Sequence, residues 1–239
     1  MLFRSGDTMA KRLQQKGASP RRLRVIPNWV DVGALTPVER DNDWARAHGL
    51  RNRFVIMHSG NVGHAQNLDL LVRSATFLRD LEDLVVVIIG SGARAHEIQA
   101  LADVLDVERV RFLPYQPREV LASALSTGDV HFVGLAEGLA GYVVPSRLNG
   151  VLSTGRPVIV AADEESETAT LVRRIQCGIV VPPSRPELLT RAIRDAYEGR
   201  LDLAAMGLRA REYALAEATR EIAHERYRAV LGEVVGTSA

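Results

Sequence analysis

FVIMHSGNVGHAQNLDLLVRSATFLRDLEDLVVVIIG, Phe54 to Gly90, carries one full unit of the pattern on which this chain is built. FVIMHS is an apolar run of strand length. Gln66 to Asp80 places Leu68, Leu71, Val72, Ala75 and Leu78 at helical spacing, so the segment is expected to be an amphipathic helix. LVVVIIG then runs apolar without alternation, the mark of a strand covered on both faces. A helix between two such strands is the connection that parallel pairing requires.

The alternation continues outward on the C-terminal side. Ile98, Leu101, Ala102 and Leu105 stripe a helix, Val110 to Leu113 is a short strand, Val120, Leu121, Ala124 and Leu125 stripe a second helix, and Asp129 to Val133 is a strand. GYVVPSRLNGVLSTGRPVIV, Gly141 to Val160, follows as loop, helix and strand: Pro145-Ser146 opens the helix, Gly155 stops it, and Val158-Ile159-Val160 is the strand. Ser166 to Arg174 is expected to be a helix, Gly178 to Val181 a strand and Pro186 to Glu198 a helix, with only helix beyond Leu201. Its last piece should bury Ala223, Tyr227, Val230, Leu231 and Val234, yet no strand remains to supply the surface. On the N-terminal side, Gly6 to Lys16 reads as a helix with no strand before it to pack on. Leu23 to Asp31 reads as a brief strand broken by Pro27. The expected fold class is α/β, a Rossmann-like parallel sheet of about six strands with helices on both faces. Ligands bind such sheets beyond the carboxyl ends of the strands, which selects the loops 59–67, 90–94, 113–117, 135–147 and 161–167.

Composition narrows the function classes. Among 239 residues, 30 Lys plus Arg oppose 29 Asp plus Glu, so no overall field draws nucleic acid. The longest apolar run, Leu84 to Ile89, is far short of a membrane span, and the opening MLFRSGDTMAKRL has no sustained apolar core of a secretory signal. Cys177 is the single cysteine, flanked by Ile175 and Ile179 and expected to be buried; it excludes an intrachain disulfide and a cysteine-built zinc site. The six histidines show no metal-ligand spacing, and no protein metal site is expected.

Within the selected loops, Arg147 and Ser146 lie at an expected helix start, where unpaired backbone N–H groups favour an anion; Arg147 is read as a solvent-facing loop cation. Gly60 and Gly63 bracket the turn after the first strand, where backbone could approach phosphate or the glycines could simply permit the turn. Gly90-Ser91-Gly92 is read as a turn. Tyr115 could stack on a nucleobase or be a half-buried loop residue. His64 is read as a solvated loop histidine, and Glu164 and Glu165 as solvated charges. Glu167, at an expected helix start, could touch a sugar or ribose hydroxyl.

The segments IPNWVD, SGNVGHAQNLDLLVRSA, VIIGSGA, VRFLPYQPREVL, GDVHFVGL, VVPSRLNGVLSTGRPVI and CGIVVPPSRPELLTRAI, in that order, resemble the C-terminal, nucleotide-sugar-binding half of a GT-B glycosyltransferase of the family 4, group 1 type. The nearest likeness is to bacterial enzymes of O-antigen, colanic acid and capsule biosynthesis. The resemblance implies that an N-terminal Rossmann-like domain is missing, with residues 1–22 its remnant and linker, 23–200 the nucleotide-sugar-binding domain, and 201–239 helices that would cross back. It implies a retaining transferase that moves a sugar from a nucleotide sugar to a glycan or lipid-linked acceptor in cell-surface polysaccharide synthesis. The chain alone would be inactive, and without the other half it would meet a separate N-terminal domain or self-associate through Met9, Leu13, Tyr227, Leu231 and Val234. The donor is the substrate and no cofactor is implied; the location is cytoplasmic, with the inner face of the membrane as a peripheral site. Gly60, Asn61, Gly63, Gln66, Tyr115, Ser146, Arg147 and Glu167 are the implied nucleotide-sugar contacts, and no residue matches a catalytic base. Two departures stand out. Where many members carry a pair of glutamates around the central turn, this chain has Tyr142 and Gly150, and where many have arginine and lysine after the first strand it has Asn61 and Gln66. A stand-alone binding module and a nucleotide-sugar 2-epimerase remain as alternatives.

Overall fold

The computed structural model describes the backbone of residues 2–236, and the side chains of that range apart from 2–4, 234 and 235. Val234, expected to face a partner, therefore lies outside the described side chains.

The chain begins with strand β1 (Leu2–Arg4), helix α1 (Asp7–Gln15) and strand β2 (Leu23–Val25). β1 and β2 pair in parallel, with Leu2 opposite Leu23. A strand thus does precede the first helix, contrary to the expectation from sequence; at three residues it is too short to show a period. Helix α2 (Asp43–Ala47), also unread in the sequence, is started by the Asn42 side chain, which accepts from the Ala45 N–H at 3.0 Å.

From there the alternation holds: β3 (Phe54–Ser59), α3 (Leu68–Ala75), β4 (Leu84–Ile89), α4 (Ala95–Val104), β5 (Val110–Leu113), α5 (Arg118–Thr127), β6 (Val130–Gly134), α6 (Arg147–Ser153), β7 (Val158–Ala161), α7 (Glu167–Ile175), β8 (Gly178–Val181) and α8 (Pro186–Tyr197), then α9 (Leu203–Glu217) and α10 (Arg220–Val235). The helix expected from Gln66 starts later. Asn67 takes a left-handed conformation, φ 51°, which separates a short 3-10 turn at His64–Gln66 from α3. That break lets Gln66 turn back toward the strand end instead of continuing the helix.

β3 to β8 form one parallel sheet in the order β5-β4-β3-β6-β7-β8. The chain steps outward from β3 through β4 to β5, then returns to the other side of β3 as β6, so the connections diverge between β3 and β6 and open a crevice there. Alternating side chains of each strand feed opposite faces. Ile56 packs with Leu68, Leu71, Val72, Ile98, Leu189 and Ile193 beneath α3, α4 and α8, whereas Val55 and Met57 pack with Trp44, Leu50 and Ala124 beneath α2 and α5. A third cluster joins Leu148, Val151 and Leu152 of α6 to Val158, Val160, Val172 and Ala210. Burial of each such leucine or valine contributes about 1.5–3 kcal/mol, which fixes α6, and so Arg147 at its start, against the sheet. Cys177 is fully buried, and that burial pushes its thiol up to about 12.

Candidate functional site

A cleft of about 620 Å³ opens over the crevice between β3 and β6. Ser59, Gly60, Asn61 and Gln66 from the end of β3, Tyr115 and Gln116 from the end of β5, and Gly134 and Leu135 from the end of β6 line it, with Val143 to Arg147 across from them. Leu35, Leu121, Leu125, Gly150 and Val151 form an apolar wall, and Trp29 and Val30 stand at one side.

Arg147 is the one basic side chain among the described residues lining this cleft, and none of them is acidic. It is half-buried, not solvent-facing as the sequence suggested, because its stem crosses the end of β3 at Gly60. Gly60 has φ 144°, a backbone geometry open to glycine, and a side chain there would meet the Arg147 Cδ at 3.1 Å. The neighbouring strand end is equally tight, since a Cβ on Gly90 would run into the Gly60 carbonyl oxygen. Arg147 Nη2 donates to the Gly134 carbonyl at 3.2 Å, while its Nε is sealed from solvent with no partner. No carboxylate pairs with it among the described residues, and burial pushes its pKa down to about 10. Behind it, His58 is fully buried and its Nε2 donates to the Asn61 carbonyl at 3.3 Å. Burial first, and the Arg147 charge second, hold His58 well below its usual value, so it stays neutral. The positive charge at the crevice is therefore that of Arg147.

The neutral amides brace the loop. Gln66 Oε1 accepts from the Gly63 N–H at 3.0 Å and from Asn61 Nδ2 at 3.1 Å, which leaves the Gln66 NH2 as a donor. Gly63 thus holds the turn and does not line the cleft. Tyr115 is 56% exposed, with its hydroxyl donating to the Ser91 carbonyl at 3.2 Å, so the ring lies open at the cleft edge. Ser146 is exposed at the start of α6 and makes no capping bond there. His64 is exposed and outside the cleft lining.

Glu167 lies elsewhere. Its carboxylate accepts from the Asp7 and Thr8 N–H groups at 3.0 and 2.9 Å and so caps α1, lining a separate cavity of about 210 Å³. Arg12 of the same helix lies over the Tyr142 ring at 3.5 Å and bonds its hydroxyl. Met9 and Leu13 are half-buried beside Gly141 and Tyr142.

Trp29 and Gln116 were not singled out in the sequence. Trp29 is 44% exposed, edge-on to His224 of α10, and the Val30 N–H to Ala218 carbonyl bond at 2.9 Å ties its segment to the end of α9. Gln116 Oε1 is held by the Trp44 indole N–H at 2.8 Å. A tryptophan beside a proline in a polar junction was the available signal for the first; for the second there was none. Among the described residues no group of His, Cys, Asp and Glu could hold a metal ion, and no helix is long and apolar enough to cross a membrane.

The family model described as "Glycosyl transferases group 1" matches residues 41–213, a stretch that contains β3 to β8 and the cleft's glycine turns. The chain belongs to the glycosyl transferases group 1 family. Among its relatives, the colanic acid biosynthesis glycosyl transferase WcaI of Escherichia coli (strain K12) is 29% identical over 211 residues, covering 87% of this chain and 51% of WcaI. Glycosyltransferase WbjE of Pseudomonas aeruginosa is 26% identical over 203 residues, covering 84% of this chain and 50% of WbjE. The chain thus spans about half the length of these group 1 relatives. The crystal structure of HepE from Anabaena in complex with UDP and glucose superposes with a TM-score of 0.85 at 15% identity, over 98% of this chain and 63% of HepE. WaaG, a glycosyltransferase involved in lipopolysaccharide biosynthesis, gives 0.78 at 17% identity, over 94% and 60%. At these identities the superpositions establish the GT-B fold.

Proposed function

We propose that this chain is the donor-binding half of a retaining glycosyltransferase that moves a sugar from a nucleoside diphosphate sugar to a glycan or lipid-linked acceptor in cell-surface polysaccharide synthesis. The observation that carries the reading is Arg147, a half-buried cation with no acidic partner at the sheet's switch point. A desolvated charge of this kind is costly unless an anion arrives, and a diphosphate supplies one. The diphosphate would lie against Arg147 and Ser146 at the start of α6, with the base on Tyr115 and the sugar toward Val143 and Val144. UDP occupies the HepE structure, which supports the same placement here.

In the reaction the bond from the anomeric carbon to the diphosphate oxygen breaks, and the acceptor hydroxyl bonds to that carbon. The electron pair leaves with the diphosphate, where Arg147 stabilises it. The acceptor's proton needs a base, and the described cleft residues include no carboxylate or histidine to take it. Residues 1–22 would belong with an amino-terminal half that faces this cleft, residues 23–200 would hold the donor, and 201–239 would cross back. No cofactor beyond the donor is required.

Titration calorimetry of the 239-residue chain with UDP, GDP, ADP and the matching nucleosides tests the reading. At least one diphosphate should bind more than tenfold tighter than its nucleoside, and the chain alone should transfer no sugar. Equal affinity for diphosphate and nucleoside, no binding of either, or sugar transfer by the isolated chain would each contradict it.

A further inference from the structure

The wall of the cleft between its cationic and aromatic ends is apolar where a pentose would lie. We propose that the donor taken here is a 2′-deoxynucleoside diphosphate sugar, preferred over its ribonucleotide counterpart. The inference rests on the nucleoside diphosphate reading above and specifies it.

Two anchors set the direction of the ligand. Arg147 marks the phosphate end and Tyr115 the ring end. They face each other across the touching strand ends, since Gly60 lies under the Arg147 stem while a Cβ on Gly90 would lie 3.4 Å from Tyr115 Cε1. Behind this edge the wall runs from Leu121 to Leu125 on α5, and from there to Gly150 on α6. A Cβ added to Gly150 would touch Leu125 Cδ1 at 4.0 Å and Leu35 Cδ1 at 3.4 Å. Gly150 also follows Arg147 by one helical turn, so it sits on the same side of α6 as the phosphate anchor. A pentose joining the two anchors is thereby laid against leucine methyl groups and a bare glycine.

A ribose presents a pair of vicinal hydroxyls that need acceptors once water is displaced. None of the described lining residues is acidic, and the two amide oxygens nearest the anchors are occupied: Gln66 Oε1 by two N–H donors and Gln116 Oε1 by the Trp44 indole. A 2′-methylene makes no such demand and buries favourably on the leucines. The missing hydroxyl therefore removes a desolvation cost that the ribonucleotide would bear.

The test compares UDP with dUDP, GDP with dGDP and ADP with dADP by calorimetry on the full chain, so that each pair differs by one oxygen. For the base that binds tightest, the deoxy form should bind roughly threefold to tenfold tighter. Gly150→Asp places an acceptor in the wall and should shift the preference toward the ribonucleotide by at least threefold. Equal affinity within a pair, or tighter binding of the ribonucleotide by the wild-type chain, overturns the inference while leaving the diphosphate reading intact. Failure of all six to bind sinks that underlying reading and the inference with it. If Gly150→Asp does not fold, the wild-type pairs still decide.

Discussion

At the scale of single residues, the buried histidines make the folded state sensitive to acid. His131 is sealed in the sheet, its Nε2 donating to the Leu125 carbonyl at 2.8 Å, and burial pulls its pKa from 6.5 down to about 4. The folded form therefore resists a proton that the unfolded chain accepts. Stability from this group is fully present above about pH 6.5 and is lost as pH falls from there toward 4. His58 is shifted in the same direction. Between pH 7 and pH 5 the loss from His131 should be on the order of 2 kcal/mol, read as a drop in urea midpoint. His131→Gln should flatten the dependence; equal slopes in the two proteins would show that His131 does not carry it. Arg147 shows the limit of reading residues from sequence. Its charge suggested solvent, and its place at the loop-helix turn was legible, but its burial depends on Gly60, a contact between strand end and helix start far apart in the chain.

At the scale of elements, the sheet was legible because β3 to β7 are short apolar runs separated by punctuated amphipathic helices. What escaped was set by contacts that local pattern does not carry. β1 is defined by its pairing with β2, on the far side of α1. Asn67 adopts φ 51° although a helical stripe continues on either side of it. Glu167 stands at a helix start, as expected, yet it serves a different helix: its carboxylate holds the Asp7 and Thr8 N–H groups, the unpaired donors at the start of α1. Glu167→Ala should then weaken α1 by about 1 kcal/mol, seen as faster amide exchange over residues 7–15, and leave diphosphate affinity within twofold. Unchanged exchange together with a tenfold affinity loss would instead place Glu167 in the ligand site.

At the scale of the whole molecule, stability and binding pull in opposite directions at one position. The sheet, its two helical layers and the α6 cluster hold a cation where the free protein has no counter-charge for it. The exposed Leu231 and Tyr227 of α10, 55% and 43% accessible, belong to the same scale, as apolar surface offered by a chain about half the length of its relatives. The central claim is that the fold keeps Arg147 desolvated for a diphosphate. Arg147→Met keeps the length of the stem and removes the charge. The most direct measurement is thermal unfolding of wild type and Arg147→Met, with and without the tightest-binding nucleoside diphosphate at about a hundred times its Kd. Without ligand the variant should melt at or above wild type, by roughly 2–4 °C for each kcal/mol of desolvation removed. With ligand, wild type should gain about 2.7 kcal/mol and the variant almost nothing. A variant that melts lower than wild type and is still stabilised by the diphosphate to the same degree would contradict the account, since Arg147 would then support the fold and not the ligand.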